Sequence, residues 1–165
     1  MKKTFVTLLI LFAAFSAFCQ SMPPVEGVPL ATSTDFHAAE NVVLQVSGNL
    51  LSTPIDQANE ARLKANVFLV RWMYGTPDFD FTIGQNAMKK YIEKDVDLMA
   101  VYFACLASFA IKYPSVKDPA TVTLNAVKTF MDYINNQTNH VIITSKLKKL
   151  QEADQKGELK SFLKL

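Results

Sequence analysis

Apolar residues recur along the chain at three- and four-residue steps, broken by short polar or proline-bearing stretches. That is the pattern of amphipathic helices joined by turns. Phe36, Ala39, Val43, Val46 and Leu50 share one face of a first helix that starts near Thr34 or Asp35. Ser52-Thr53-Pro54 closes it and opens a second helix, with Thr53 placed to cap, Pro54 at the first helical position and Asp56 in the electropositive first turn. The second helix runs to about Tyr74 and has two apolar faces: Ala61, Ala65, Phe68 and Trp72 on one, Leu63, Val67, Val70 and Tyr74 on the other. A helix apolar on two sides is expected to be sandwiched between neighbours.

The strongest pattern is the third helix, from about Thr82 to Tyr113. Met88, Ile92, Val96, Met99, Phe103, Leu106 and Ala110 follow the helical period, and Tyr91, Leu98, Tyr102, Cys105 and Phe109 form a second stripe. Nearly every residue from Leu98 to Ile111 is apolar, as in a central core helix, yet the run is short for crossing a bilayer. Tyr113-Pro114 ends it. Asp118-Pro119 then announces a fourth helix, with Leu124, Val127, Met131 and Ile134 inward and Phe130 and Tyr133 beside them. Asn135 to His140 (NNQTNH) reads as a loop and Val141-Ile142-Ile143 as a short docked extended piece. Thr144 or Ser145 starts a fifth helix carrying Leu147 and Leu150 towards Gly157, with Leu159, Phe162 and Leu163 in a last apolar turn. No hairpin signal or internal repeat competes with an all-α fold. The expected architecture is a compact antiparallel bundle of about five helices in a single domain, residues 34–165.

The stretch RWMYGTPDFDFTIGQN, Arg71 to Asn86, holds the single Trp of the chain. Gly75 is expected in the left-handed conformation after a helix end, and Thr76-Pro77 stops the helix. Thr82 and Gln85 have capping-box spacing for the next helix start. In an extended path between them, Phe79 and Phe81 face one way and Asp78 and Asp80 the other. The economical reading is a connector pinned by its phenylalanines. The sharper reading is a binding surface built from Trp72, Tyr74, Asp78, Phe79, Asp80 and Phe81.

The amino terminus changes the compartment. Lys2 and Lys3 precede the apolar run Phe5 to Phe18, a segment that resembles a bacterial secretory signal. Cleavage after Cys19, with Ala17 and Cys19 at the small-residue positions, would leave Gln20 first; the rival is a lipidated Cys19, against which Phe18 stands where such signals carry a small residue. Residues 1–19 are thus expected to be removed and the mature chain to reach the periplasm, cell surface or medium. Residues 20–33, with Pro23, Pro24 and Pro29, are expected to form an extended or disordered lead-in.

Without Lys2 and Lys3, the 17 Lys+Arg fall to 15, equal to the 15 Asp+Glu. A neutral chain lacks the concentrated basic face of a general nucleic-acid binder. Six lysines between Lys146 and Leu165 face only Glu152, Asp154 and Glu158, a mildly basic end best read as a solvated face. Removal of Cys19 leaves Cys105 without a disulfide partner, in an apolar setting that suits a buried thiol rather than a nucleophile.

No nucleophile elbow, metalloprotease helix, phosphate loop, dinucleotide fingerprint or CxxC pair occurs, so no cofactor is implied. His37 and Glu40 are half of a metal site at helical spacing, with no second pair in the sequence to complete it; His140 lies in the polar loop. Asn136-Gln137-Thr138 fits the glycosylation pattern but, after a bacterial-type signal, is read as chance. Asp78, Asp80, Glu93, Asp95 and Asp97 are the carboxylates available to chemistry; Asp95 is expected either as a buried acid or as a cap or partner for Arg62 or Arg71. Three functional classes follow: a protein-interaction or structural module that binds another protein or itself, a carrier of an apolar small ligand between helices, and a carboxylate-based hydrolase of cell-wall or glycan material. An exposed Trp72 would favour the first, a cavity at Phe103 the second, and converging carboxylates with one raised pKa the third.

Overall fold

A computed structural model describes residues 21–92 and 95–165. The expected export segment, and the cleavage or lipidation expected at Cys19, lie outside these residues, as does Glu93. The described chain is all helical, with α1 (Ser33–Ser52), α2 (Glu60–Gly75), α3 (Thr82–Ile92), α4 (Val96–Lys112), α5 (Pro119–Asn135), α6 (Ser145–Gln155) and α7 (Leu159–Leu163). The bundle class is as the pattern predicts; the number of helices is larger, for reasons visible in individual caps.

Thr32 caps α1, whose first residue, Ser33, is one or two residues ahead of the expected start. Its hydroxyl accepts from Asp35 N at 3.2 Å, while the Asp35 carboxylate accepts from Thr32 N at 2.8 Å and Ala31 N at 3.1 Å, a reciprocal capping box. Those amides hold the Asp35 carboxyl below its usual range. Helix α1 then buries Ala39, Val43, Val46 and Leu50, the face read from the sequence.

Helix α2 does not begin at Thr53-Pro54. The Thr53 hydroxyl donates to Asn49 O at 2.8 Å and accepts from Arg62 Nη1 at 2.9 Å, so it serves the end of α1. Asn59 caps α2 instead, accepting from Arg62 N at 3.0 Å. Residues 21–32 ahead of α1 carry a turn at Glu26-Gly27 and no helix, and they are tied to α2: Lys64 pairs with Glu26 at 2.8 Å, while Val25 and Val28 pack against the core.

The apolar stripe from Met88 to Ala110 is shared by two helices. Asp95 takes the cap of α4, its carboxylate accepting from Leu98 N at 2.9 Å, which ends α3 at Ile92 although the period runs through the break. Helix α4 is the centre of the bundle: Val101, Tyr102, Ala104, Leu106 and Ala107 are fully enclosed or nearly so. Each large apolar side chain buried this way contributes roughly 1.5–3 kcal/mol. Tyr102 donates to Gly84 O at 3.0 Å and meets Phe130 edge-on at 5.8 Å, linking α3, α4 and α5. Gly84 permits that approach, since a Cβ there would sit 2.8 Å from Leu106.

Helix α5 begins as read, with the Asp118 carboxylate accepting from Thr121 N at 3.0 Å and Pro119 at its first position. Asn135 to His140 is a tighter element than a loop, containing a 3-10 turn over Gln137–Asn139 in which the Asn136 side chain accepts from Thr138 N. Thr144 caps α6, and Gly157 at φ 70° leads into α7. Of the three residues after the turn, Val141 docks while Ile142 and Ile143 are exposed.

Candidate functional site

Two surfaces gather side chains that chemistry can use. The first lies between α2 and α4. Helix α2 packs against α1 and α4, burying Ala65, Phe68, Leu69, Trp72 and Met73, but of its second apolar face only Val70 packs against the core. Leu63 is 45 % exposed, Val67 61 % and Tyr74 72 %, so the sandwich expected for this helix does not form. Opposite them, Val96 at the start of α4 is 74 % exposed. Leu63, Val67, Val70, Val96, Met99 and Phe103 line an open apolar groove of about 430 Å³.

Asp97 at the groove belongs to a group of buried polar side chains. Asp97, almost fully buried, accepts from Gln57 Nε2 at 2.9 Å. Arg62 is buried too, with Nη1 on Thr53 and Nη2 donating to Leu50 O at 3.4 Å. Arg62 and Asp97 both act electrostatically on Tyr133, whose hydroxyl donates to Thr53 O at 2.9 Å; burial nevertheless keeps the Tyr133 pKa above its usual value. The opposite charges lie in one neighbourhood, which offsets part of the cost of burying either. Asn66, also lining the groove, has a buried Oδ1 that accepts from no protein donor among the described residues.

The second surface is the connector between α2 and α3. Trp72 is fully buried, and its indole N–H donates to Phe36 O at 3.0 Å. Phe79 and Phe81 stack around it with ring centroids 6.0 and 6.2 Å from the indole. Trp72 and Phe81 are therefore core residues rather than members of an exposed aromatic surface, because the extended path turns both phenylalanines onto the tryptophan. Phe79 is half-buried; Tyr74, Asp78 and Asp80 are what the segment presents to solvent. Tyr74 donates weakly to Gln85 Oε1 at 3.4 Å. Gly75 is the last residue of α2 and has no left-handed φ. Its missing side chain has another cause: a Cβ there would run into the Phe36 ring. At the α3 end, Thr82 is already the first helical residue, and the Asp80 carboxylate accepts from its N–H at 2.9 Å.

Among the described residues, Asp78, Asp80, Asp95 and Asp97 each engage a different partner: the His37 ring, Thr82 N, Leu98 N and the Gln57 amide. Thr82 holds the Asp80 carboxyl below its usual range, the opposite of what a general acid requires. Asp95 is exposed and spent on its cap, correcting the expectation that it could be buried; the buried acid is Asp97. Cys105 is enclosed on α4, and burial pushes its thiol pKa far up, so it is no nucleophile.

What the sequence pattern misses is the convergence of distant segments. Asp78 reaches the start of α1, its Oδ2 3.2 Å from His37 Nδ1, while Glu40 Oε1 lies 3.7 Å from the same nitrogen. The half-site read from His37 and Glu40 thus gains a third group separated from it by most of α1 and all of α2. Compared with protein-family models, curated proteins and solved structures, the chain matches none. No helix among the described residues is long and apolar enough to cross a membrane.

Proposed function

We propose that this is an exported protein-interaction module that docks an amphipathic helix of a partner protein in the groove between α2 and α4. The carrying observation is the row Leu63, Val67, Val70 and Tyr74, exposed except at the half-buried Val70, whose four-three-four spacing is that of a helix-packing seam. A second apolar helix laid along it would bury the row against Val96 and Met99. Arg71 on the same groove has no ion-pair partner among the described residues, so a partner helix with an acidic residue beside its apolar stripe suits the rim. The Lys2-Lys3 and Phe5–Phe18 segment supports export.

A photo-cross-linking residue at Val67 in the native host tests this reading. A cross-linked peptide from an amphipathic helix of another protein, abolished by Phe or Asp blocks on its apolar stripe, is the expected result. Cross-links only to another copy of this chain would replace the partner with self-association, and no cross-link at position 67 would remove the groove from consideration. An apolar small ligand is a second reading, favoured by Phe103 at the groove wall and by the unpartnered Asn66 Oδ1, a polar anchor in an apolar pocket. Native mass spectrometry of the exported protein separates the two, since a carrier retains an added small mass.

A further inference from the structure

We propose that His37, Glu40 and Asp78 form a surface site for a borderline divalent cation, Zn²⁺ first among them. Nothing in the groove reading depends on it. His37 Nδ1 lies 3.2 Å from Asp78 Oδ2 and 3.7 Å from Glu40 Oε1, and the three ligand atoms all fall within 4.8 Å of one another. Zinc bonds to imidazole nitrogen and carboxylate oxygen at about 2.0–2.2 Å, which places neighbouring ligands of a tetrahedral ion about 3.4 Å apart. The two His37 distances therefore stand close to the separation an ion would impose, and the two carboxylates lie within 4.8 Å of each other.

The donor set selects the class of ion. Two carboxylates neutralise a divalent charge, and the imidazole nitrogen favours zinc and its first-row neighbours over magnesium or calcium, which take oxygen ligands. Three protein donors leave a further position for water or for a donor from a partner. His37 is 53 % exposed at its side chain, so that position opens to solvent.

The scaffold beneath the three donors is rigid. His37 and Glu40 are one helical step apart on α1, and Asp78 is delivered by the connector. Trp72 bonds the carbonyl of Phe36, the residue before His37, and Gly75 lets the α2 end close onto the Phe36 ring. Phe79, the residue after Asp78, packs at a tilt against Trp72. Both donor segments are thereby fixed to one buried tryptophan, which gives the site pre-organisation that a chance meeting of surface side chains lacks.

Calorimetric titration of the untagged, chelator-treated protein with ZnCl₂ tests the proposal, with a thermal melt in the presence and absence of Zn²⁺ as second readout. One binding event and a zinc-dependent rise in Tm are expected. His37→Ala, Glu40→Ala and Asp78→Asn each weaken binding at least about tenfold, the lower end of what losing even an outer-shell partner costs. His140→Ala leaves it unchanged. Because all three donors are at the surface, the variants should retain the wild-type circular dichroism, and a variant that does not is replaced by His37→Gln. Absence of zinc-dependent heat and Tm shift would reduce the cluster to an ion pair, and equal zinc binding by wild type and His37→Ala would overturn the assignment.

Discussion

The two apolar faces of α2 are nearly equivalent in sequence and opposite in fate. Phe68, Leu69, Trp72 and Met73 are enclosed by α1, α4 and the connector, whereas Leu63, Val67 and Tyr74 are left in solvent. Periodicity states that both faces are apolar; it does not state how many neighbours the chain supplies. The described helices cover one face, and the second is surplus to folding. That surplus is the physical content of the interaction reading, since stability gives no reason to keep large apolar side chains exposed along a row.

The contrast can be broken first at Trp72. Trp72→Ala is expected to destabilise the fold by about 3–5 kcal/mol, through the cavity it leaves and the lost hydrogen bond to Phe36 O, measured by chemical denaturation. A loss of less than about 1 kcal/mol would mean that the α1–α2 junction is not core. Gly75→Ala comes next: the added methyl drives into the Phe36 ring, at a cost of about 1–3 kcal/mol typical of overpacking. Third, acid stability should carry a contribution from Asp35. Its carboxyl is held below the ordinary 3.8 by the Thr32 amide, hydroxyl and the Ala31 amide. The folded state therefore binds that proton less readily than the unfolded chain, so the contribution is present above pH 3.8 and disappears as pH falls through the lower folded value. Asp35→Asn should flatten the acid limb of a stability–pH curve, and an unchanged limb would remove Asp35 from that role. The smallest effect on stability is expected at Val67→Asp, within about 0.5 kcal/mol, because the side chain it replaces is largely exposed. A large destabilisation there would show that the outer face is covered after all.

The helical fold was legible because its signals are local. Asp118-Pro119, Thr144 and the Phe36-to-Leu50 face each announce themselves within a turn or two of chain. The misread boundaries are those where a side chain is claimed from further away. Thr53 looks like a cap until Arg62 and Asn49 occupy its hydroxyl, and the stripe through Ile92 and Val96 hides the cap at Asp95 because apolar period survives the break. The candidate sites were less legible still. The alternation of Phe and Asp after Pro77 gave the correct sides, yet the partner of Asp78 is His37, which no spacing rule connects. The groove combines a face of α2 that was expected to be sandwiched with a stretch of α4 that was expected to be core. Both depend on which helices meet.

The position of the single tryptophan gives the molecule an internal optical gauge. Its indole is sealed from water and bonded to the backbone of α1, so its emission reports whether α1, α2 and the connector are docked. A cation drawing His37 and Asp78 together would act one residue from the carbonyl that the indole holds, while a helix settling against Val67 would touch the opposite side of α2. The same fluorophore can therefore register the first event and stay silent to the second, without any label being added.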